Sequence, residues 1–309
     1  MNKKRIKRAL LTRKWYNFTE RVAQMALRVG LPENICIEKN VKYGELKMEC
    51  LDFIYDNSLE KKDNQPMLIY IHGGGWLSGI KDMRRYYCYE WAKKGYFVAN
   101  LDYTYAPDKQ FPEQFQQLFN AIDYILDKEE KYSFNSKKVI LGGESAGGYF
   151  ITMLAVLLKN RELFDKLGLS FKHYDTFFPK ALISICGVID LINLNSTGFP
   201  DIEIFVESFL DHDFDYLVKH IDDEQIRNTS PIHYISGEFP PTMIISAEND
   251  KLKGESYNLA EILKALKVDY KTFEGTGIIS NHAFPIAVKL KKGRECFDST
   301  VSFIEKYIV

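Results

Sequence analysis

The sequence predicts an α/β protein built on a mostly parallel sheet with helices on both faces. Three observations predict it. Short apolar runs rich in Val, Ile, Tyr and Phe recur along the chain, stretches of helical period separate them, and two glycine-rich segments fall where apolar runs end. At 309 residues, 46% hydrophobic and 27% charged, the chain is long enough to bury a sizeable core. Its net charge of −1 offers no field of one sign to nucleic acid or an acidic polymer, which points to a small molecule as the partner.

Strands are read near residues 35–42, 46–55, 67–71, 96–102, 138–142, 181–187, 242–247 and 268–273. The last six alternate with helices or longer segments, as parallel strands require. The first two, joined around Gly44, read as a hairpin on the sheet edge. Two segments stand outside the alternation. Residues 1–34 read as helix, with Trp15, Phe18, Val22, Met25 and Val29 at 3–4 spacing and a stop at Gly30 and Pro32. Residues 188–238 form a long insertion that carries Phe205, Phe209, Phe214 and Tyr216 among acids, and insertions of this length in a compact domain often serve as lids.

The five cysteines are scattered without CxxC spacing, and an odd number cannot all pair within one chain, so a reducing compartment, the cytoplasm, fits best. The N-terminus is basic (Lys3, Lys4, Arg5, Lys7, Arg8), but Ala9-Leu10-Leu11 is too short for the apolar region of a signal peptide. No run approaches the ~18 apolar residues of a membrane span. The basic helix is read as packed on the body with solvated lysines rather than as membrane-associated, because stable anchoring takes more than one signal. Oligomeric state leaves no mark in the sequence.

The chemistry concentrates in a few stretches. Val139 to Gly148 runs from an apolar strand into an apolar helix through G-x-S-x-G, the pattern of a nucleophile elbow, in which Ser145 projects above the sheet from a strained turn. Upstream, Ile69-Tyr70-Ile71-His72-Gly73-Gly74-Gly75-Trp76 ends a strand in three glycines. Bare backbone there suits an oxyanion hole, whose N–H groups must reach the substrate oxygen with no side chain between. The N–H groups of Gly74 and Gly75, with that of Ala146, are assigned that role.

Where an elbow serine is the nucleophile, its acid and its histidine follow it in chain order. Of six histidines, His282 falls after the last strand and is the candidate base. His72 belongs to the glycine stretch and shapes it, and His173, His212, His220 and His233 read as surface or insertion residues. The acid lies in Glu248-Asn249-Asp250, beyond the seventh strand, with Asp250 preferred and Glu248 its competitor. Glu144, inside the elbow, is read as a buried partner of a nearby polar group. No H-x-x-x-H or clustered His/Asp/Cys spacing suggests a metal, and the chemistry calls for no cofactor.

With these residues in place, the chain resembles the hormone-sensitive-lipase-like carboxylesterases of the α/β-hydrolase superfamily over residues 65–285. The motifs that carry the resemblance are H-G-G-G-W (His72 to Trp76), D-Y-T-Y-A-P-D with F-P after it (Asp102 to Asp108, Phe111-Pro112), G-E-S-A-G-G (Gly143 to Gly148), P-P-T (Pro240 to Thr242), D-K-L (Asp250 to Leu252) and His282. The resemblance implies an α/β-hydrolase fold, a carboxylic ester substrate, and a cap made of residues 1–34 and 188–238 on a catalytic domain of residues 35–309. This chain departs from the family at Thr104, where Arg is usual, at Gln117, near the place of a frequent acid, and at Glu144, where Asp is more usual.

The reaction expected is acyl transfer to water through an acyl-enzyme on Ser145, and the aromatics of the two outlying segments suggest short-to-medium acyl chains. Two other readings keep the same residues: an amidase, formamidase or acetyl-sugar deacetylase, since fold and triad do not set the substrate, and a ligand-binding protein without turnover.

Overall fold

A computed structural model describes residues 2–27, 30–58, 64–278 and 280–308, with backbone alone for 23–27. Met25 and Val29, expected on the helical stripe, therefore lie outside the described side chains. Eight strands form one sheet: β1 (Ile35–Lys42), β2 (Cys50–Asp56), β3 (Gln65–Ile71), β4 (Phe97–Leu101), β5 (Phe134–Glu144), β6 (Ala181–Ile185), β7 (Thr242–Ala247) and β8 (Tyr270–Gly275), in the order β1-β2-β4-β3-β5-β6-β7-β8. The β1–β2 and β2–β4 pairs are antiparallel and all others parallel, so the expected edge hairpin joins a parallel sheet.

Two strand starts differ from the sequence reading by four residues, and the other strand ends by no more than two. Strand β2 begins at Cys50 rather than 46, because Glu49 closes a turn by accepting the Leu46 N–H at 2.8 Å. Strand β5 begins at Phe134, where the polar stretch Asn135 to Lys138 hides the strand from hydropathy and a register shift separates its start from the rest.

The pleat sends alternate residues to opposite faces. Met67, Ile69 and Ile71 pack with α3 (Glu113–Leu126), α5 (Ala146–Leu157) and α10 (Lys253–Ala265), whereas Leu68 and Tyr70 pack with α2 (Arg85–Lys93) and α11 (Lys291–Ile304). Short helices α4 (Glu129–Tyr132) and α6 (Arg161–Lys166) connect these layers, and residues 188–238 carry α7 (Ile202–Leu210), α8 (Phe214–Lys219) and α9 (Glu224–Arg227).

Helix α1 (Lys3–Leu27) packs on α7. Its inner face is mostly polar. Arg13 donates to the carbonyls of Leu77 and Ala106 and pairs with Asp108, Asn17 accepts the Gly79 N–H at 3.0 Å, and Glu20 meets Arg84 at 3.0 Å. The apolar stripe Leu11, Trp15, Phe18 and Val22 points the other way, each side chain more than half exposed.

Candidate active site

Ser145 follows the end of β5, near the middle of the sheet, with φ 54° and ψ −119°. Non-glycine residues rarely hold a positive φ, and here neighbouring backbone enforces it. Ser145 N–H donates to the Ile185 carbonyl at 2.8 Å, and small residues flank the turn because nothing larger fits. A Cβ on Gly143 would lie 2.5 Å from the Gly147 carbonyl carbon, and one on Gly147 would lie 2.0 Å from the Ile71 oxygen. Helix α5 starts at Ala146, so its first N–H groups lack intrahelical partners and face the site.

The glycine loop after β3 runs beside this turn. Gly74 has φ 122° and Gly75 φ 58°; side chains there would strike the Ser78 carbonyl oxygen at 2.1 Å and the Phe205 ring at 2.4 Å. The Gly73 N–H is consumed by Glu144 Oε1 at 2.6 Å. Those of Gly74 and Gly75 find no acceptor among the described residues. His72 is fully buried, its Nδ1 2.6 Å from the Gly73 carbonyl and its ring stacked on Tyr103, as suits a residue that shapes the loop.

His282 and Asp250 arrive from the loops after β8 and β7. His282 Nδ1 lies 2.8 Å from Asp250 Oδ2, while Asp250 Oδ1 accepts the Leu252 N–H at 2.9 Å. Burial pushes the Asp250 carboxyl up, but the hydrogen bond and charge of His282, the Leu252 N–H and the Cys186 thiol outweigh it and hold the group below its usual range. Glu248, the competing acid, is exposed and turned aside to accept the Gly277 N–H at 2.8 Å. Cys186, Asp250 and His282 offer three donor atoms within 4.8 Å of one another. They suit a metal poorly, since burial holds the thiol protonated and Asp250 Oδ2 is already engaged by His282.

These residues meet in one cavity of about 170 Å³, lined by Gly73 to Gly75, Ser145, Ala146 and His282. Val188, Ile202 and Phe205 form an apolar side, and the Phe199 ring stands edge-on to His282 at 5.1 Å. Polar groups complete the lining through Glu20, Arg84 and Tyr16, whose ring stands edge-on to Phe205 at 5.1 Å.

Sequence reasoning missed these polar lining residues. Glu144 joins Arg84 (2.6 Å), the Tyr70 hydroxyl (2.7 Å) and the Gly73 N–H, and so ties elbow to glycine loop, while Arg84 continues to Glu20 of α1. Arg84 and Glu144 lie 60 residues apart, and no local pattern links them. The departures at Thr104 and Gln117 leave a neutral pair: Gln117 accepts the Thr104 N–H and donates to its hydroxyl, both at 3.0 Å, and reaches Glu49 at 2.8 Å.

Strand order, elbow and glycine loop define an α/β-hydrolase. The chain belongs to the BD-FAE family, whose model matches residues 51–263. It is 27% identical over 234 residues to a putative alpha/beta hydrolase of Acanthamoeba polyphaga mimivirus, a match covering 75% of this chain and 64% of the viral protein. An esterase of Gibberella moniliformis is 26% identical over 240 residues, covering 74% and 70% of the two chains. Among solved structures, esterase B from Lactobacillus rhamnosis superposes with a TM-score of 0.83 at 23% identity, covering 98% of this chain and 95% of that one. The resemblance drawn from the motifs holds at the level of family and fold.

Proposed function

We propose that this protein is a serine carboxylesterase that cleaves small-molecule esters of short-to-medium acyl chains through an acyl-enzyme. One observation carries the reading: a serine on a strained strand-to-helix turn shares a small cavity with loop amides that find no acceptor among the described residues and with a histidine whose Nδ1 is bound to a buried carboxylate. The relatives support it, as do the names of the structural neighbours.

In this mechanism Asp250 accepts from His282 Nδ1–H, which leaves Nε2 unprotonated and directs it toward the serine. Ser145 Oγ attacks the ester carbonyl carbon as its proton passes to His282 Nε2. The N–H groups of Gly74, Gly75 and Ala146 receive the negative charge on the former carbonyl oxygen. Collapse breaks the ester bond, His282 protonates the departing alcohol, and water then repeats the sequence on the acyl-serine. The cavity compares with the roughly 150 Å³ that accepts one benzene ring, and Phe199, Ile202 and Phe205 give the acyl chain an apolar wall. Esterase B has been solved inhibited by a C4-C4 tributyrin phosphonate, which accords with that size.

Residues 1–34 and 188–238 act as the cap over a catalytic domain of residues 35–309. The scattered cysteines support a reducing, cytoplasmic setting; no described helix is long and apolar enough to cross a membrane. The test is a nitrophenyl ester panel of rising chain length. Wild type should peak at short to medium chains, and Ser145→Ala should retain only the roughly 10³–10⁴-fold acceleration over water that binding and the amides provide. A variant with wild-type turnover removes Ser145 from the mechanism.

A further inference from the structure

At 3.6 residues per turn, Leu11, Trp15, Phe18 and Val22 fall within about 60° of one another on α1. They stand opposite Ala9, Arg13, Tyr16 and Glu20, which face the body. The outward stripe joins Trp15 and Phe18 ring to ring, with centroids 6.4 Å apart. Such a stripe normally packs inward. Here the inward face is mostly polar, so the helix carries its apolar surface toward solvent.

Charge identifies what covers it. Lys3, Lys4, Lys7, Arg8, Lys14 and Arg21 are exposed around the stripe and form no ion pair among the described residues. The acid within the described side chains of α1 is Glu20, and it is turned inward onto Arg84. A second copy of this helix would set basic residues against basic residues. An anionic surface with an apolar layer beneath it satisfies both features at once, the lysines at the headgroups and Trp15 and Phe18 below them.

We propose that the outer face of α1 docks this protein on anionic lipid bilayers, lying in the interface without crossing it. The same helix lines the cavity through Tyr16 and Glu20 on its other side, so docking would hold the cavity one helix diameter, roughly 10 Å, from the lipid surface. This departs from the expectation that the helix has no membrane role, and it is independent of whether Ser145 performs hydrolysis.

The experiment is flotation of the full chain with vesicles of phosphatidylcholine containing phosphatidylserine and with phosphatidylcholine alone. Binding should require phosphatidylserine and weaken with salt. Trp15 is the exposed tryptophan, Trp76 and Trp91 being buried, so a blue shift in emission on binding reports its insertion. Lys7→Gln and Lys14→Gln should each weaken binding about five-fold, and Trp15→Ser with Phe18→Ser should abolish it. All variants should keep the wild-type circular dichroism spectrum and thermal midpoint, which shows that they fold. Three results overturn the proposal: no flotation with phosphatidylserine vesicles, equal salt-independent binding to both vesicle types, or a dimer seen by light scattering that Trp15→Ser with Phe18→Ser dissociates.

Discussion

Helices α5 and α1 both border the cavity, yet they are held in opposite ways. Every residue of α5 from Ala146 to Leu157 is buried, and glycines let its first turn press on the backbone of β3 and of Gly187 just beyond β6. Helix α1 is attached mainly by hydrogen bonds and ion pairs through Arg13, Asn17 and Glu20, and shows its apolar residues to solvent. Close packing tolerates almost no displacement, whereas a polar attachment at the surface can open without disturbing the core. The serine therefore borders a closely packed helix, whereas Tyr16 and Glu20 line the cavity from a helix with a more separable attachment.

That contrast sets the expected sizes of several perturbations. The largest belongs to Gly147→Ala, whose methyl would meet the Ile71 carbonyl oxygen at 2.0 Å. Since neither backbone can yield, urea unfolding should show a loss of about 3 kcal/mol or more; an unchanged midpoint would mean that the elbow has slack.

Next comes Glu255 of α10, which anchors the start of the 188–238 segment by accepting the N–H groups of Ile189 and Asp190 at 2.8 and 2.9 Å. Burial raises its carboxyl to about 7, against those two bonds. A folded-state value above the unfolded one means that this group's stabilisation is complete below the ordinary value of 4.5 and is lost as pH rises to about 7. Denaturation at stepped pH should show a decline of up to about 3 kcal/mol across that window. Glu255→Gln, which keeps an acceptor for both N–H groups, should flatten it.

Arg13→Met removes the donor that Leu77 and Ala106 share and should cost about 1–3 kcal/mol. The cost should appear as faster proteolysis within residues 1–27 while the body stays resistant. Global unfolding at a lower denaturant concentration, with no local opening, would show that α1 is integral to the core. The smallest effect belongs to Trp15→Ser, which should change stability by no more than about 0.5 kcal/mol in thermal melts because the side chain touches little but water and Phe18.

Much of the frame was legible in advance. Eight apolar runs lie where eight strands are found, and the hairpin at Gly44 lies at the sheet edge. Boundaries failed where side-chain chemistry overrode hydropathy, at Glu49 and along Asn135 to Lys138. Within the site, the glycines were legible because a missing side chain is itself a local signal, and the structure gives each a close contact that forbids a Cβ. Arg84, Tyr70 and Glu20 were not, since their meaning lies in partners 60 to 74 residues away.

The sequence alone determined the alternation of strands and helices, the sharp turn at Ser145, the bare backbone at Gly74 and Gly75, and the order in which acid and histidine follow. Each rests on steric demands or periodicities that act over a few residues. Only the tertiary structure decided that Asp250 rather than Glu248 meets His282, that Glu144 binds the glycine loop through a buried arginine, and which way the stripe on α1 faces. Those outcomes depend on distances between remote segments, and a helix's apolar stripe does not say by itself whether protein or another apolar phase will cover it.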